Sequence, residues 1–191
     1  MASKEFFSLK EVYLRGIQKE DFTEGLFYWA NDDEVTHYMV TGLKPSVKEL
    51  MEKLYQDTVN NLSNGSEVVF TIVEKQSGKA IGLAGLYQIN QQVRSAEFRI
   101  LIGDKSFWGK GIGTECTNIL VDYAFRNLNL NKVWLGVNEE NLGAVKSYEK
   151  AGFIKEGKLR QEIYRNNKYY DAIRMSILRS EWEKILRDQQ H

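Results

Sequence analysis

The chain of 191 residues has one cysteine, one proline and no net charge, its 26 lysines and arginines balancing 26 aspartates and glutamates. A lone Cys116 excludes an intrachain disulfide. Beside a glycine run it is a conceivable nucleophile, but a small buried apolar residue on a helix is the plainer reading. Neutrality removes any bulk electrostatic reason to expect nucleic acid or an anionic membrane as partner. No apolar run approaches the roughly 18 residues of a bilayer span. The opening MASKEFFSLKEV lacks the apolar region of a secretory signal. These absences lead us to expect a cytoplasmic, reduced protein with no metal site.

Hydrophobic residues make up 42% and charged residues 27% of the chain, ordinary values for a soluble globular protein. The length suits one domain spanning 1–191 with a substantial core. Along it, VYLRGIQ (12–18) alternates like a strand, and Phe22, Leu26, Phe27 and Trp29 recur at helical spacing. The only proline, Pro45, lies in the loop THYMVTGLKPS. Ser46 with Glu49 resembles a capping box for a helix through VKELMEKLYQDTVNNL.

From residue 68 the pattern turns to strands. VVFTIVEK (68–75) and GKAIGLAGLYQIN (78–90) read as a hairpin. RSAEFRILIG (94–103) is a third strand, with Ala96, Phe98, Ile100 and Ile102 alternating with Glu97, Arg99 and Leu101. KVWLGVN (132–138) is another. NLGAVKSYEKAG (141–152) is a helix ending at Gly152, a natural C-cap. A strand, an Asn-rich turn, a second strand and a terminal helix close the chain. The expected fold is α/β (α+β), with a mixed, mostly antiparallel twisted sheet flanked by helices.

The stretch DKSFWGKGIGT sets Gly109, Gly111 and Gly113 at alternate positions before a helix. A Walker loop fails, because Asp104 stands at its first glycine. A dinucleotide fingerprint fails as well, with Thr114 or Cys116 in place of its third glycine. What remains is a loop whose bare backbone N–H groups could converge on a pyrophosphate at the positive helix end, with Lys110 at the rim. A plain strand-to-helix turn reads from the same residues.

Together, strand-WGKGIGT-helix and the N-x-x-A-x-x-x-Y-x-x-x-G-F pattern of residues 141–153 resemble the GCN5-related N-acetyltransferase (GNAT) superfamily, over about residues 68–182. Within it the chain is similar to the ribosomal-protein N-terminal acetyltransferases and the bacterial spermidine acetyltransferases, and WANDDEVTHYM is closer to the first. Trp108 departs from the family, whose loop usually opens with Gln or Arg.

The resemblance implies acetyl-CoA in a V-shaped cleft between strands 96–102 and 132–138. Its pyrophosphate would lie on the backbone amides of Gly109, Lys110, Gly111, Ile112, Gly113 and Thr114. Its pantetheine arm would pair with the strand at Leu101–Ile102, and Asn141 would hydrogen-bond that arm. An amine would attack the thioester directly, through a tetrahedral intermediate. Tyr148, two helical turns from Asn141, would serve as the acid for the departing thiolate; a core aromatic is the alternative. Glu97 would be the base, or else an ion-pair partner of Arg99, with His37 the other candidate.

Residues 1–66 would hold the acceptor-side helices and 68–182 the cofactor core. Acidic residues outnumber lysines in the N-terminal third, which suits a cationic amine and equally a solvated helical face. Trp29, His37, Tyr38 and Tyr87 are the candidates for contacting the acceptor, which would be a protein N-terminus, a polyamine or an amino sugar. A non-catalytic CoA-binding regulatory module of the same fold is the rival. The exposed edge of the final hairpin leaves a homodimer open.

Overall fold

The computed structural model describes residues 4–40 and 42–189. Eight strands form one sheet in the order β1-β2-β3-β4-β5-β6-β8-β7. They are β1 (Glu5–Ser8), β2 (Val12–Gly16), β3 (Val68–Glu74), β4 (Ala80–Asn90), β5 (Ser95–Ile102), β6 (Lys132–Asn138), β7 (Ile154–Arg165) and β8 (Lys168–Leu178). Only the β5–β6 pair is parallel; every other neighbour is antiparallel.

Central β3 is buried along nearly its whole length, so VVFTIV reads as a continuous apolar run instead of alternating. The β7–β8 hairpin turns on Asn166 and Asn167, both with positive φ, as a two-residue primed turn requires.

Helices cover both faces. A π-helical stretch, Asp21–Leu26, runs into α1 (Phe27–Ala30), and with α2 (Lys48–Ser63) it packs Phe22 and Met51 on Leu83 of β4. On the opposite face α3 (Ile112–Arg126), α4 (Leu142–Lys150) and α5 (Arg179–Asp188) bury the larger core, with Phe98, Leu120, Phe125, Leu135, Met175 and Ile177 at its centre. Burying an aliphatic or aromatic side chain of this size contributes about 1.5–3 kcal/mol.

The first layer is also pinned by charge. Asp21 accepts both Arg15 guanidinium bonds at 2.7 Å, the Gln18 N–H at 2.7 Å and the Thr71 hydroxyl at 2.6 Å, all under nearly complete burial.

Two expectations are corrected. The sheet begins one strand earlier than the one read at 12–18, with β1 (Glu5–Ser8) paired on β2 (Val12–Gly16), so residues 1–66 hold two strands as well as the helices. Ser46 does not cap α2: its N–H and C=O are both taken by the Asn31 side chain, and the N-cap is the extended Val47.

Candidate active site

β5 and β6 pair only from Ser95–Lys132 to Glu97–Trp134. Beyond that, β5 stays with β4 through Ile102 and β6 stays with β8 through Asn138, so the sheet splays open. The backbone alternation decides what faces this gap. The Gly103 N–H donates to Ile81 on β4, and the Lys132 N–H of β6 donates to Arg94. Polar groups of even-numbered β5 residues therefore turn toward β6 and those of odd-numbered ones toward β4. Ile100 and Ile102 offer their backbone to the gap. Leu101 does not, and this corrects the expected pairing position.

At the end of β5 the chain enters the glycine loop. The Trp108 indole N–H donates to the Ile102 carbonyl at 2.7 Å. Gly109 (φ +73°) and Gly111 (φ +83°) adopt left-handed conformations, and a Cβ on either would meet nothing within 4 Å. Gly111 is the N-cap of α3. Among the described residues, none of the backbone N–H groups of 109–114 donates to a protein acceptor. That leaves six consecutive donors at the positive end of a 15-residue helix, with open space beside Gly109 and Gly111, a cradle that fits a diphosphate. Lys110 stands at the exposed rim, its ammonium 4.8 Å from the Phe107 ring centre. Ile112 is buried below the loop as its anchor.

α4 is held against this loop by the Thr114–Ser147 hydroxyl bond of 2.7 Å. Asn141 caps α4, its Oδ1 accepting from the Ala144 N–H at 3.1 Å. Its Nδ2 has no protein acceptor among the described residues. Tyr148 packs edge-on to Phe98 at 6.2 Å and beside Phe153 at 5.9 Å. Burial pushes its phenol up to about 12. Cys116 is wholly buried in α3 and its thiol is pushed up to about 12 by the same cause, so it is packing and not a nucleophile.

The face of the sheet toward α1 and α2 carries the remaining candidates. Glu97 is ion-paired with Arg99 at 2.5 Å, and its side chain is only 15% exposed. The Arg99 guanidinium lies 4.8 Å from the Tyr87 ring centre, and burial raises the Tyr87 phenol. Trp29 sits on Gly103 at the end of β5 so closely that a Cβ there would be 2.0 Å from the indole. His37 and Tyr38 are exposed in the turn after α1 and contact each other, ring centres 4.6 Å apart.

The structure thus brings Glu97 and Tyr87 together as cross-strand partners, with Trp29 farther along the same face. His37 has no hydrogen bond or ion pair with any of them. Two features were missed from sequence: the Trp108–Ile102 bond, and a stack of Arg174 on Trp134. Neither has a linear signal, since each joins residues brought together only by the sheet.

A family model described as an acetyltransferase (GNAT) domain matches residues 11–154. The chain belongs to the GNAT acetyltransferase family. It is 40% identical to the spermidine N(1)-acetyltransferase of Vibrio cholerae over 90% of this chain and 95% of that one. The Escherichia coli spermidine N(1)-acetyltransferase is 34% identical, over 92% of this chain and 90% of its own. The putative ribosomal N-acetyltransferase YdaF of Bacillus subtilis is 39% identical over a shorter stretch, 56% of this chain and 57% of that one. A crystal structure of the V. cholerae spermidine N-acetyltransferase, in complex with CoA and spermine, superposes with a TM-score of 0.80 at 34% identity, covering 90% of this chain and 98% of that one.

As a GNAT-family N-acetyltransferase, the chain has the fold and the enzyme class that its glycine loop and its 141–153 helix imply. Among its described residues no helix is long and apolar enough to cross a membrane.

Proposed function

We propose that this N-acetyltransferase moves the acetyl group of acetyl-CoA to a primary amine by direct attack, without an acyl-enzyme. The observation that carries the reading is the row of six free N–H groups at residues 109–114, opening onto the splayed β5–β6 gap. That cradle would take the CoA pyrophosphate. The pantetheine amides would pair with Ile100 and Ile102 as an added strand does, and the free Asn141 amide would reach the same arm.

In the reaction the amine nitrogen bonds the acetyl carbon, the carbon–sulfur bond breaks with its electron pair going to sulfur, and the amine gives up a proton, so that CoA leaves as a thiolate. Glu97, on the acceptor face, is the proposed proton acceptor, directly or through water, with Arg99 paired to it and fixing its position. Tyr148 stays protonated across the physiological range. A full transfer from a phenol near 12 to a thiolate of ordinary basicity, about 8.5, runs uphill. Its proposed part is therefore a hydrogen bond that strengthens as charge develops on sulfur. The names of the relatives support polyamines as acceptors; protein N-termini and amino sugars satisfy the same chemistry.

The test is CoA thiol release from acetyl-CoA across panels of these three amine classes, with mass detection of the acetylated product. Amine-dependent release supports the proposal. CoA binding with no release on any amine would overturn it in favour of a regulatory module.

A further inference from the structure

One row of side chains crosses five strands on the acceptor face. Gly85 pairs with Arg99, and Gly136 and Gly157 each pair with Arg174. Because Glu97 pairs with Trp134, Arg99 and Gly136 occupy equivalent positions on either side of the opening gap. The row reads Gly85, Arg99, Gly136, Arg174, Gly157, so its arginines alternate with positions that have no side chain. A Cβ built at Gly136 or Gly157 meets nothing within 4 Å, and both glycines are exposed. Arg174 therefore stands in an open trough.

The two arginines differ in one respect. Arg99 is neutralised by Glu97, whereas Arg174 makes no hydrogen bond or ion pair among the described residues. Its guanidinium carbon lies over Trp134, 4.0 Å from the ring centre. Arg94, Arg160 and Arg187 also lack such partners, but they are exposed on the surface, while Arg174 is half-buried. The carboxylate on this side, Glu156, is bonded to Lys132 and to the Ser176 hydroxyl, and it feels the Arg174 charge only at a distance, without an ion pair or hydrogen bond between them. The indole contact holds the guanidinium in place while its N–H groups make no protein hydrogen bond, leaving them for a planar or tetrahedral anion.

We propose that this trough binds a carboxylate or phosphate carried by the acceptor amine itself, with Arg174 as the binding residue and Trp134 as its platform. β8 lies two strand spacings, about 10 Å, from β5, and Arg174 lies over Trp134 of β6, the pairing partner of Glu97. One small molecule spans both, with the amine at the gap and the anion a few bonds away. A polyamine carries only positive charge and gains nothing from a guanidinium that has no ion pair of its own. The assignment of the anion to an acceptor rests on the acetyl-transfer reading; the anion site itself does not.

The test is calorimetric titration of the CoA-saturated protein, which keeps phosphates off the glycine loop. The probes are ethanolamine phosphate and β-alanine, with ethanolamine and spermidine as partners lacking an anion. At least one anionic amine is expected to bind about 10- to 100-fold tighter than ethanolamine, as one charge-assisted pair provides. The stronger of the two identifies phosphate or carboxylate as the source.

Arg174→Gln should abolish the preference and Arg174→Lys should keep part of it. Gly136→Val, placed in open space on a strand where a branched residue is at home, should block the anion while leaving the thermal midpoint near that of the parent. Equal binding of all four probes, spermidine tightest, an undiminished preference in Arg174→Gln, or no anionic binding below about 10 mM would each overturn the proposal. Failure of CoA to bind would instead count against the acetyl-CoA reading, and the same titration without CoA would still read the Arg174 dependence.

Discussion

The indole N–H of Trp108 donates to the carbonyl of Ile102 at 2.7 Å, joining the residue before the glycine loop to the last residue of β5. The bond fixes the loop relative to the strand edge, so cradle and cleft keep one geometry. Trp108 is 40% exposed, and its removal leaves no buried void. Trp108→Phe should therefore weaken CoA binding by about three- to tenfold, the worth of one neutral hydrogen bond, with little change in thermal midpoint. Titration calorimetry beside a melting curve checks both halves.

Gly113 tests the cradle with opposite signs for stability and binding. It lies in the first turn of α3 with ordinary helical φ, and a Cβ there would meet only Ile102 Cδ1 at 3.8 Å and the Ser147 hydroxyl at 3.9 Å. Gly113→Ala should stabilise the fold by about 0.5–1 kcal/mol, because alanine loses less backbone entropy in a helix. The same methyl crowds the anion path, so CoA affinity should fall. Gly111→Ala, at φ +83°, should instead lose stability through backbone strain of about 1–2 kcal/mol. Urea midpoints of the two variants would separate these effects.

Much of this region is legible in the chain itself. The alternation of Ala96, Phe98, Ile100 and Ile102, the glycine spacing and the Gly152 stop set β5, the loop and α4 within a residue or two. β1 escaped because EFFS is too short to alternate and is recruited only by its register with β2. The Leu101 assignment failed because strand alternation reveals side-chain faces, while the direction of backbone donors depends on which neighbour pairs first. The Gly85–Arg99–Gly136–Arg174–Gly157 row is a property of register between distant strands, and no linear pattern contains it.

The buried Arg15–Asp21 pair should be the most sensitive polar contact in the fold. Asp21 accepts four hydrogen bonds, from the Arg15 fork, the Gln18 N–H and the Thr71 hydroxyl, and so ties β2, β3 and the first helical turn together. Asp21→Ala leaves the Arg15 charge buried without its counterion and should cost about 3–5 kcal/mol. Thr71→Val removes one of these bonds and should cost about 1–2 kcal/mol. Equilibrium urea unfolding checks the ratio; equal, small losses would mean that the apolar layer alone holds this corner.

Stability should fall at alkaline pH. Burial raises the Cys116 thiol from 9.0 to about 12, and raises the Tyr87 phenol too. Above pH 9 the unfolded chain loses these protons while the folded one keeps them, so the unfolded state binds fewer protons and unfolding becomes easier. The contribution is intact below about pH 9 and is lost as pH climbs toward 12. Melting midpoints from pH 7 to 11 should be flat and then decline. Cys116→Ala should start from a lower midpoint but show a shallower decline above pH 9, since the earliest titrating group is gone.

Tyr148 should separate chemistry from binding. Its hydroxyl has no protein partner among the described residues, and its ring is fixed by Phe98 and Phe153, contacts that phenylalanine would preserve. Tyr148→Phe should therefore lower kcat by about 100-fold or more, the usual scale for losing a hydrogen-bond donor aimed at developing charge, with unchanged CoA affinity. Its phenol is held near 12, so loss of the protonated form should not produce a basic limb in the kcat profile of the parent enzyme below about pH 11. A limb near the ordinary tyrosine value of about 10, absent from Tyr148→Phe, would mean that the bound cofactor resolvates the phenol. Unchanged kcat in the variant would remove Tyr148 from the reaction and leave the developing thiolate to water.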